Sequence, residues 1–308
     1  MPTTAPYPAA LPKYARLAAS VINAGSGVAA TLALAPTAFA PGCMVEQLDT
    51  TADKMLGTRT HSISGSVDNL IRVRPSASLK PAVAEWANLL QWCLHGVPTG
   101  TTTLTYPLAD RENDRTLVFD DTQRLWTMFN VAVNSATFAA SAGGPLTLDV
   151  DCVGVSYAVG LSSAFPAGLT FPVGPPFMMI NASVAIGGTT AVPCRSARLT
   201  VNNDLDGERF FFGPTISGAV TQDRTVEVTL EIPYGLSAAV WAAGAGAGGV
   251  AVTLTFTRGP QTLVFTMPTV RAVAPPPQSQ TPAETFITWT GQALSDTTNA
   301  ELSVALTP

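Results

Sequence analysis

Two aspartates separated by one residue, Asp149 and Asp151, are the pair of carboxylates whose spacing best suits cation binding or acid–base catalysis. On a β-strand, residues i and i+2 lie on one face, so both carboxylates would point the same way. Such a pair could bind a cation or share a proton, but no histidine or glutamate lies nearby in the sequence to complete a site. We therefore expect a polar strand face here, with metal binding or catalysis as the less favoured alternative.

Other segments resemble ligand-binding motifs without completing them. Residues Asn203–Glu208 hint at a calcium loop but lack the twelve-residue spacing and the terminal bidentate glutamate, which favours a turn. No strand leads into Gly244–Gly249 and no Lys-Ser/Thr pair follows, so we expect a flexible loop and not a phosphate-binding loop. His61 falls in a predicted strand, and His95 at a predicted helix end, where a cation would favour the helix dipole. No catalytic set, cofactor motif or metal-ligand spacing is present, so the sequence gives no reason to predict an enzyme.

The cysteines are not spaced for metal binding. None lies in a C-x-x-C pair, and in a chain of 308 residues they are expected to be reduced core residues and not a disulfide framework. They are Cys43, Cys93, Cys152 and Cys194.

A hairpin over residues 128–154 is the clearest of the elements that must position these side chains. Apolar residues alternate with polar or small ones from Phe129 to Val133 and again from Leu146 to Val150. Between them, Ser141–Pro145 contains two glycines that can adopt positive φ, as a tight connection requires. Asp149 and Asp151 thus belong to the second strand of this hairpin.

One strong helix and one short helix are predicted among many strands. Apolar residues recur at helical spacing over Ser78–Leu94, where Trp86 and Trp92 are expected to pack against a sheet, and Gly96 ends the pattern. Residues 236–243, with Trp241, form the short candidate, and glycines and prolines between 155 and 178 predict a loop. Further strands are predicted at 28–34, 44–48, 62–73, 104–108, 116–120, 178–186, 197–202, 216–233, 250–257, 261–266 and 284–290.

The two halves of the chain resemble each other. Ser62–Val67 aligns with Thr215–Val220, and in both halves a proline, a Trp-bearing helix and a pair of strands follow in that order. We infer an internal duplication and a mainly β fold, a β-sandwich or barrel with one short helix per repeat. The predicted domains are an N-terminal extended arm at 1–27, a first domain at 28–160, a linker at 161–176 and a second domain at 177–308.

Composition limits the functional classes. The chain is 46% hydrophobic but only 12% charged, which suits a folded β-protein with much surface buried against other subunits. Its net charge of −5 argues against a protein that clamps nucleic acid and is compatible with a surface that DNA passes without sticking. No uninterrupted run of about 18 apolar residues exists, so no membrane-spanning helix is expected.

Three blocks of the sequence, in order, resemble one protein family. The hairpin residues 133–154 resemble the signature hairpin of tail tube proteins of long-tailed bacteriophages, and Arg59–Val67 resembles an upstream strand of the same family. Downstream, the family has a unit in which a strand ends in two asparagines and a loop leads to a second strand. Leu199–Leu205 followed by Ile216–Val220 resembles this unit. Together the blocks cover residues 40 to 240. The resemblance implies a tail-tube-like fold and a major tail tube subunit of a siphophage-like virion, and with the inferred duplication it gives two tandem tail-tube-like domains.

The same resemblance implies the partners. Copies of the chain would form stacked rings around a hollow bore, as homotrimeric pseudo-hexameric rings if the duplication is real and as homohexamers otherwise. A tape-measure protein would fill the lumen, tail terminator and distal tail proteins would cap the ends, and genomic DNA would pass without specific binding. The virion tail would be assembled in the host cytoplasm, without membrane contact. The acidic balance makes Asp149, Asp151, Glu227 and Glu231 candidates for residues that line the lumen.

Two alternative functions stay open at this point. A distal tail or other tail-end ring protein shares the tube-domain fold and would be made in few copies. A secreted β-sandwich binding or adhesion protein is suggested by Ala38-Phe39-Ala40, which follows an Ala-rich run and mimics a signal-peptidase site. The interruptions of that run by Asn23, Gly25 and Pro36 argue against cleavage.

Overall fold

The chain folds mainly as β-structure, which confirms the predicted fold class. A computed structural model describes residues 15–22, 29–49, 66–110, 113–171, 173–188, 191–211, 214–233, 248–272, 286–295 and 300–308. The strands are β1 Arg16–Ala19, β2 Leu32–Leu34, β3 Pro36–Ala40, β4 Cys43–Asp49, β5 Ser66–Val73, β6 Ser76–Leu79, β7 Leu104–Pro107, β8 Arg115–Asp120, β9 Arg124–Ser141, β10 Thr147–Val153, β11 Ser156–Leu161, β12 Ala182–Ile186, β13 Ser196–Asn202, β14 Thr225–Pro233, β15 Val250–Arg258, β16 Gln261–Ala272, β17 Phe286–Ala293 and β18 Ser303–Thr307.

The described residues contain one α-helix, α1 (Trp86–Leu94), which follows a 3-10 turn at Val83–Glu85. The prediction of a helix from Ser78 placed its start too early, because the residues before Pro81 pair with β10 as strand β6. Glu85 holds the turn in place by accepting the backbone N–H of Ala82 at 2.6 Å. The short helix predicted at 236–243 lies outside the described residues.

A single antiparallel sheet of 16 strands organises the described chain, and β4 and β5 form a separate pair. Its main path runs β12-β15-β16-β17-β14-β13-β9-β10-β6-β3. Strand β9 holds this sheet together, because its first part pairs with β8 and β11 while its second part pairs with β10 and β13. Asn130, with φ of 51°, lies near the point where the partners change. The predicted hairpin is therefore confirmed, and its first strand is longer than expected.

Strands of the two halves follow the same pairing order. In the first half, β1 pairs β8, β8 pairs β9, β9 pairs β11 and β10, β10 pairs β6, and β6 pairs β3. In the second half, β12 pairs β15, β15 pairs β16, β16 pairs β18 and β17, β17 pairs β14, and β14 pairs β13. We call these sets the first unit and the second unit. The internal duplication stays a prediction, and this correspondence supports it.

The hairpins β8–β9 and β15–β16 also share one irregularity. In the first, the pairing steps from Arg115↔Val131 to Leu117↔Met128. In the second, it steps from Val250↔Val270 to the pair of Val252 with Met267. Both steps advance two residues on one strand and three on the other, which is the signature of a β-bulge.

Aromatic contacts connect the layers of the core. The ring of Phe138 on β9 lies 6.0 Å from that of Trp86 on α1 and 5.1 Å from that of Phe265 on β16. Trp86 and Trp92 are buried, as predicted for helix-to-sheet packing. Helix α1 and the β15–β16 hairpin therefore cover the apolar face of the sheet that contains β9.

Three segments differ from expectation or lie across a predicted boundary. Residues 216–224 were predicted as strand but form a loop, since Gly218 has φ of 101° and Ile216 makes only an isolated bridge to Phe210. The predicted loop at 155–178 contains strand β11. The described part of the predicted arm, residues 15–22, contains β1, which lies between β2 and β8. The division into domains stays a prediction.

No helix in the described ranges combines the length and apolar character needed to cross a membrane.

Candidate functional site: a polar sheet face

Six neighbouring strands, β6-β10-β9-β13-β14-β17, bring the predicted acidic residues onto one surface. Asp149 pairs with Thr137, Thr137 with Thr200, and Thr200 with Glu227. Directly paired residues of antiparallel strands project to the same face. Asp149 and Glu227 therefore share a face, three strand spacings or about 14 Å apart.

The other two candidates, Asp151 and Glu231, lie on the same face in neighbouring rows of cross-strand paired residues. Asp151 lies two residues from Asp149, and Glu231 lies four residues from Glu227, so the strand period places them on this side as well. The Asp151 carboxylate accepts a hydrogen bond from Ser135 at 3.4 Å. We call this surface, on the six strands named above, the polar face.

The acids on the polar face are dispersed and do not form a ligand cluster. Asp149, Asp151 and Glu227 are exposed, and each belongs to a separate row or a distant strand. Glu231 is half-buried, accepts a hydrogen bond from Ser196 at 3.0 Å and pairs with Arg195 at 3.5 Å. No group of three or more metal-ligating side chains occurs in the part of the chain that the structure describes.

Hydroxyl and amide side chains fill most of the remaining positions of the polar face, and Arg198 adds a guanidinium. With four carboxylates and this one cation, the strands carry more negative than positive charge. The uncharged members are Ser76, Ser78, Ser135, Thr137, Ser141, Thr147, Ser196, Thr200, Asn202, Thr225, Thr229, Thr288, Thr290 and Gln292. Such a surface is hydrophilic but offers phosphates little cationic attraction.

The opposite face of the same strands is the core of the protein. Leu148, Phe138, Leu199 and Val228 are paired across the sheet in one row and are each at most 2% exposed. Successive side chains of each strand thus point alternately to the solvent-exposed polar face and to the packed core. This packing holds the polar face in a fixed shape.

A buried polar cluster anchors β9 and β13 beside the polar face. The Asn203 amide donates to the carbonyls of Cys93 at 3.1 Å and Val133 at 3.0 Å. His95 Nε2 contacts the same Val133 carbonyl at 3.1 Å, while His95 Nδ1 accepts the Asn113 N–H at 2.8 Å. Because Nδ1 is an acceptor, Nε2 carries the proton and donates a hydrogen bond to the Val133 carbonyl. Val133 lies beside the bulge between β9 and β10, where the pairing steps from Asp151↔Ser135 to Cys152↔Val133.

His95 is neutral in this cluster, so the expectation of a cation at the helix end was wrong. Burial lowers the pKa of His95 to about 4, and the nearby Arg224 guanidinium acts in the same direction. Its backbone φ of 59° ends helix α1. The residue therefore acts as a structural link between the helix and β9.

The remaining motif candidates are structural where they are described. Asn203–Glu208 forms a turn in which Glu208 pairs with Arg72 and Arg74. All four cysteines are free thiols, and Cys93 and Cys152 are buried. Ala38-Phe39-Ala40 belongs to β3, where the ring of Phe39 lies 4.5 Å from that of Phe119. Gly244–Gly249 lies mostly outside the described residues, as does His61.

Sequence reasoning proposed the four acids, which the structure places on one face, but it missed the polar cluster around Asn203. Asn203 was assigned to a turn, and no local pattern shows that its side chain reaches α1 and β9. The one signal available was an apolar strand ending in Asn-Asn directly before a turn, at residues 202–203.

Comparison with known proteins identifies the family of the chain. No curated protein matches the chain. A family model described as phage tail tube protein matches residues 13–304. This match spans most of the sequence, and tube proteins of this kind are structural components of the virion tail. The chain therefore belongs to the phage tail tube protein family.

Proposed function

We propose that this protein is the major tail tube subunit of a long non-contractile phage tail, in which stacked rings form the DNA conduit. The observation that carries the proposal is the continuous polar face of β6-β10-β9-β13-β14-β17, with Asp149, Asp151, Glu227 and Glu231 on it. We assign this face to the lumen. Its opposite side is already occupied by core packing, so the acids are available to line a bore.

The chemistry of the polar face suits passage of a polyanion. Dispersed carboxylates repel phosphates, and serine and threonine hydroxyls keep the wall hydrated without fixed cationic sites. DNA would therefore move along this wall without specific binding. Before DNA enters, the same wall would surround the tape-measure protein.

The sheet dimensions fit three chains in a ring. The strands from β3 to β17 on the main path number seven. At about 4.8 Å per strand they provide about 34 Å of wall, so three chains give a circumference of about 100 Å and a diameter of about 32 Å before strand tilt widens it. Six chains would double that diameter. The pseudo-hexameric trimer is our preferred ring, with the homohexamer as its alternative.

The proposed tail places the chain among further partners. Tail terminator and distal tail proteins would bind the two ends of the tube, and assembly would take place in the host cytoplasm. A tail-end ring protein is the second candidate function, and its abundance in purified virions distinguishes the two, since a tube subunit is present in many copies. The family match disfavours the third candidate, a secreted adhesion protein.

Electron cryomicroscopy of tubes grown from the purified full-length chain tests the proposal. We expect stacked rings whose bore is lined by Asp149 and Glu227. Discrete monomers at all concentrations, or tubes with these residues on the outer surface, would overturn it.

A further inference from the structure

Arg115 is a buried cation that has no acidic partner in the part of the chain that the structure describes. It begins strand β8 and is 4% exposed. Its Nη1 donates to the Ser20 carbonyl at 3.0 Å, and its Nη2 donates to the Asn88 carbonyl at 2.9 Å. A guanidinium carries five N–H groups, so three of them have no acceptor among the described residues, including that of the buried Nε.

This arrangement compensates the charge of Arg115 only in part. A buried charge needs a counter-charge and hydrogen bonds to offset the loss of its hydration. Here the guanidinium has two neutral carbonyls and the ring of Trp92, whose centroid lies 5.8 Å from the guanidinium carbon. Burial lowers the pKa of Arg115 to about 10, which leaves the side chain charged at neutral pH. An anion next to this side chain would therefore be stabilised.

A cavity of about 430 Å³ lies beside Arg115, where helix α1 meets β2, β8 and the residues that follow β1. This volume is within the range of small-molecule binding sites. The residues that line it include the polar Asn88 and Gln91 of α1 and the apolar Ile22 and Leu32. No acidic residue is among the described residues of the wall. The cavity therefore offers one positive charge, uncharged polar groups and an apolar surface.

We propose that this cavity binds a small monocarboxylic acid in its anionic form, with the carboxylate against Arg115 and the short alkyl chain against Ile22 and Leu32. A carboxylate presents two oxygens, and two parallel N–H groups of a guanidinium can donate to them. One guanidinium balances one negative charge, whereas a phosphate dianion would keep a second charge that no described residue of the wall balances. The ligand would join α1 to β2 and β8 and stabilise their contact.

Calorimetric titration of the purified, unassembled full-length chain at constant ionic strength tests the ligand class. Butyrate should bind with a Kd of about 1 mM, a value open to a ligand of this size. Acetate should bind about tenfold more weakly, because it lacks two methylene groups and each buried methylene strengthens binding about fourfold. Inorganic phosphate should bind more weakly than butyrate, and butyramide, the uncharged counterpart of the same shape, should not bind detectably.

The same titrations can overturn the proposal. Absence of butyrate binding, or equal binding of butyrate and butyramide, would mean that the cavity does not select an anion. Tighter binding of phosphate than of butyrate would refute the assignment of a monocarboxylate.

A built-in carboxylate tests the location of the site without removing Arg115. Gln91→Glu places an acid on the cavity wall, so the side chain should take the place of the ligand. Butyrate should then bind at least about tenfold more weakly, and the Tm without butyrate should rise by about 2 °C. Gln222→Glu, the same exchange at an exposed residue that does not line the cavity, is the matched control and should bind butyrate as the wild type does. Unchanged butyrate binding in Gln91→Glu would refute the site.

Removal of the cation provides the second variant. Arg115→Gln keeps a polar side chain but has no charge, so butyrate binding should be lost while circular dichroism shows the wild-type fold. Wild-type affinity in this variant would overturn the role of Arg115. If Arg115→Gln does not fold, Gln91→Glu decides the question alone.

The site lies within one chain, so it does not depend on the proposed function. Because the titrations use unassembled chains, absence of butyrate binding would refute the anion site and leave the proposed tube intact. Failure of the wild-type chain to form tubes would count against the proposed function and leave the anion site intact.

Discussion

Protonation of His95 should destabilise the unassembled protein as the pH falls below neutrality. In the folded chain its pKa is lowered from 6.5 to about 4 by burial, whereas the unfolded chain binds the proton near pH 6.5. The unfolded state therefore takes up more protons between these values, and the free energy of unfolding decreases with falling pH. The contribution of this residue is complete above pH 6.5 and is lost as the pH falls towards 4.

The size of the effect follows from the shift. Each pKa unit corresponds to about 1.4 kcal/mol, so His95 should lower the free energy of unfolding by about 1.4 kcal/mol at pH 5.5 and about 2.5 kcal/mol at pH 4.5. Urea denaturation followed by tryptophan fluorescence across this range measures it. Burial is the main cause of the shift, and a second proton on Nδ1 would also face the Asn113 N–H, which now donates to that atom.

Asparagine at position 95 provides the informative variant. Its carboxamide oxygen can replace Nδ1 as acceptor, and it tolerates the positive φ at this position, but it does not titrate. We expect His95→Asn to be less stable at pH 7 by about 1–2 kcal/mol and to lose most of the pH dependence between 7 and 4.5. His61→Asn, at the other histidine of the chain, is the control. An unchanged pH dependence in His95→Asn would refute the assignment.

Two further predictions concern the core and the polar face. Phe138→Ala should lower the free energy of unfolding by about 3–5 kcal/mol, because the buried ring packs between α1 and β16, whereas Phe211→Ala, at a 64% exposed position, should change it little in the same urea titration. Reversing the charge of the polar face with Asp149→Lys and Glu227→Lys should slow DNA ejection from virions, most at low salt, because lysines attract phosphates. Gln123→Lys, exposed in the turn before β9 and twelve residues from Ser135, the first residue of β9 on that face, is the control, and equal ejection rates in all three variants would count against a luminal position.

Local alternation predicted which residues share a face, but not which strands share a sheet. The period-two pattern from Leu146 to Val150 already implied that Asp149 and Asp151 point the same way. Their common surface with Glu227 depends on β9 and β13 lying between β10 and β14, and these pairings join residues distant in sequence. Periodicity carries no information on such pairings.

Elements were misjudged where their side chains do not follow a one-sided pattern. Strand β11 was predicted as loop because Ala158–Leu161 is exposed on both faces and contains Gly160, so no alternation marks it. The start of α1 was placed too early because Ser76–Leu79 was read with the helical apolar pattern that follows it. The neutral state of His95 was not predicted, because the burial of its ring depends on contacts with Asn113 and β9 that the local sequence does not show.

The length of β9 has a mechanical consequence for a tail that bends. Its 18 residues extend for about 60 Å and are hydrogen-bonded on both sides along much of that length. In the proposed tube, force applied to the β8–β9–β11 layer would therefore reach the polar face through one continuous backbone loaded in shear. Asn130, with its positive φ, lies near the point where the partners of β9 change, so we expect elastic deformation to concentrate there.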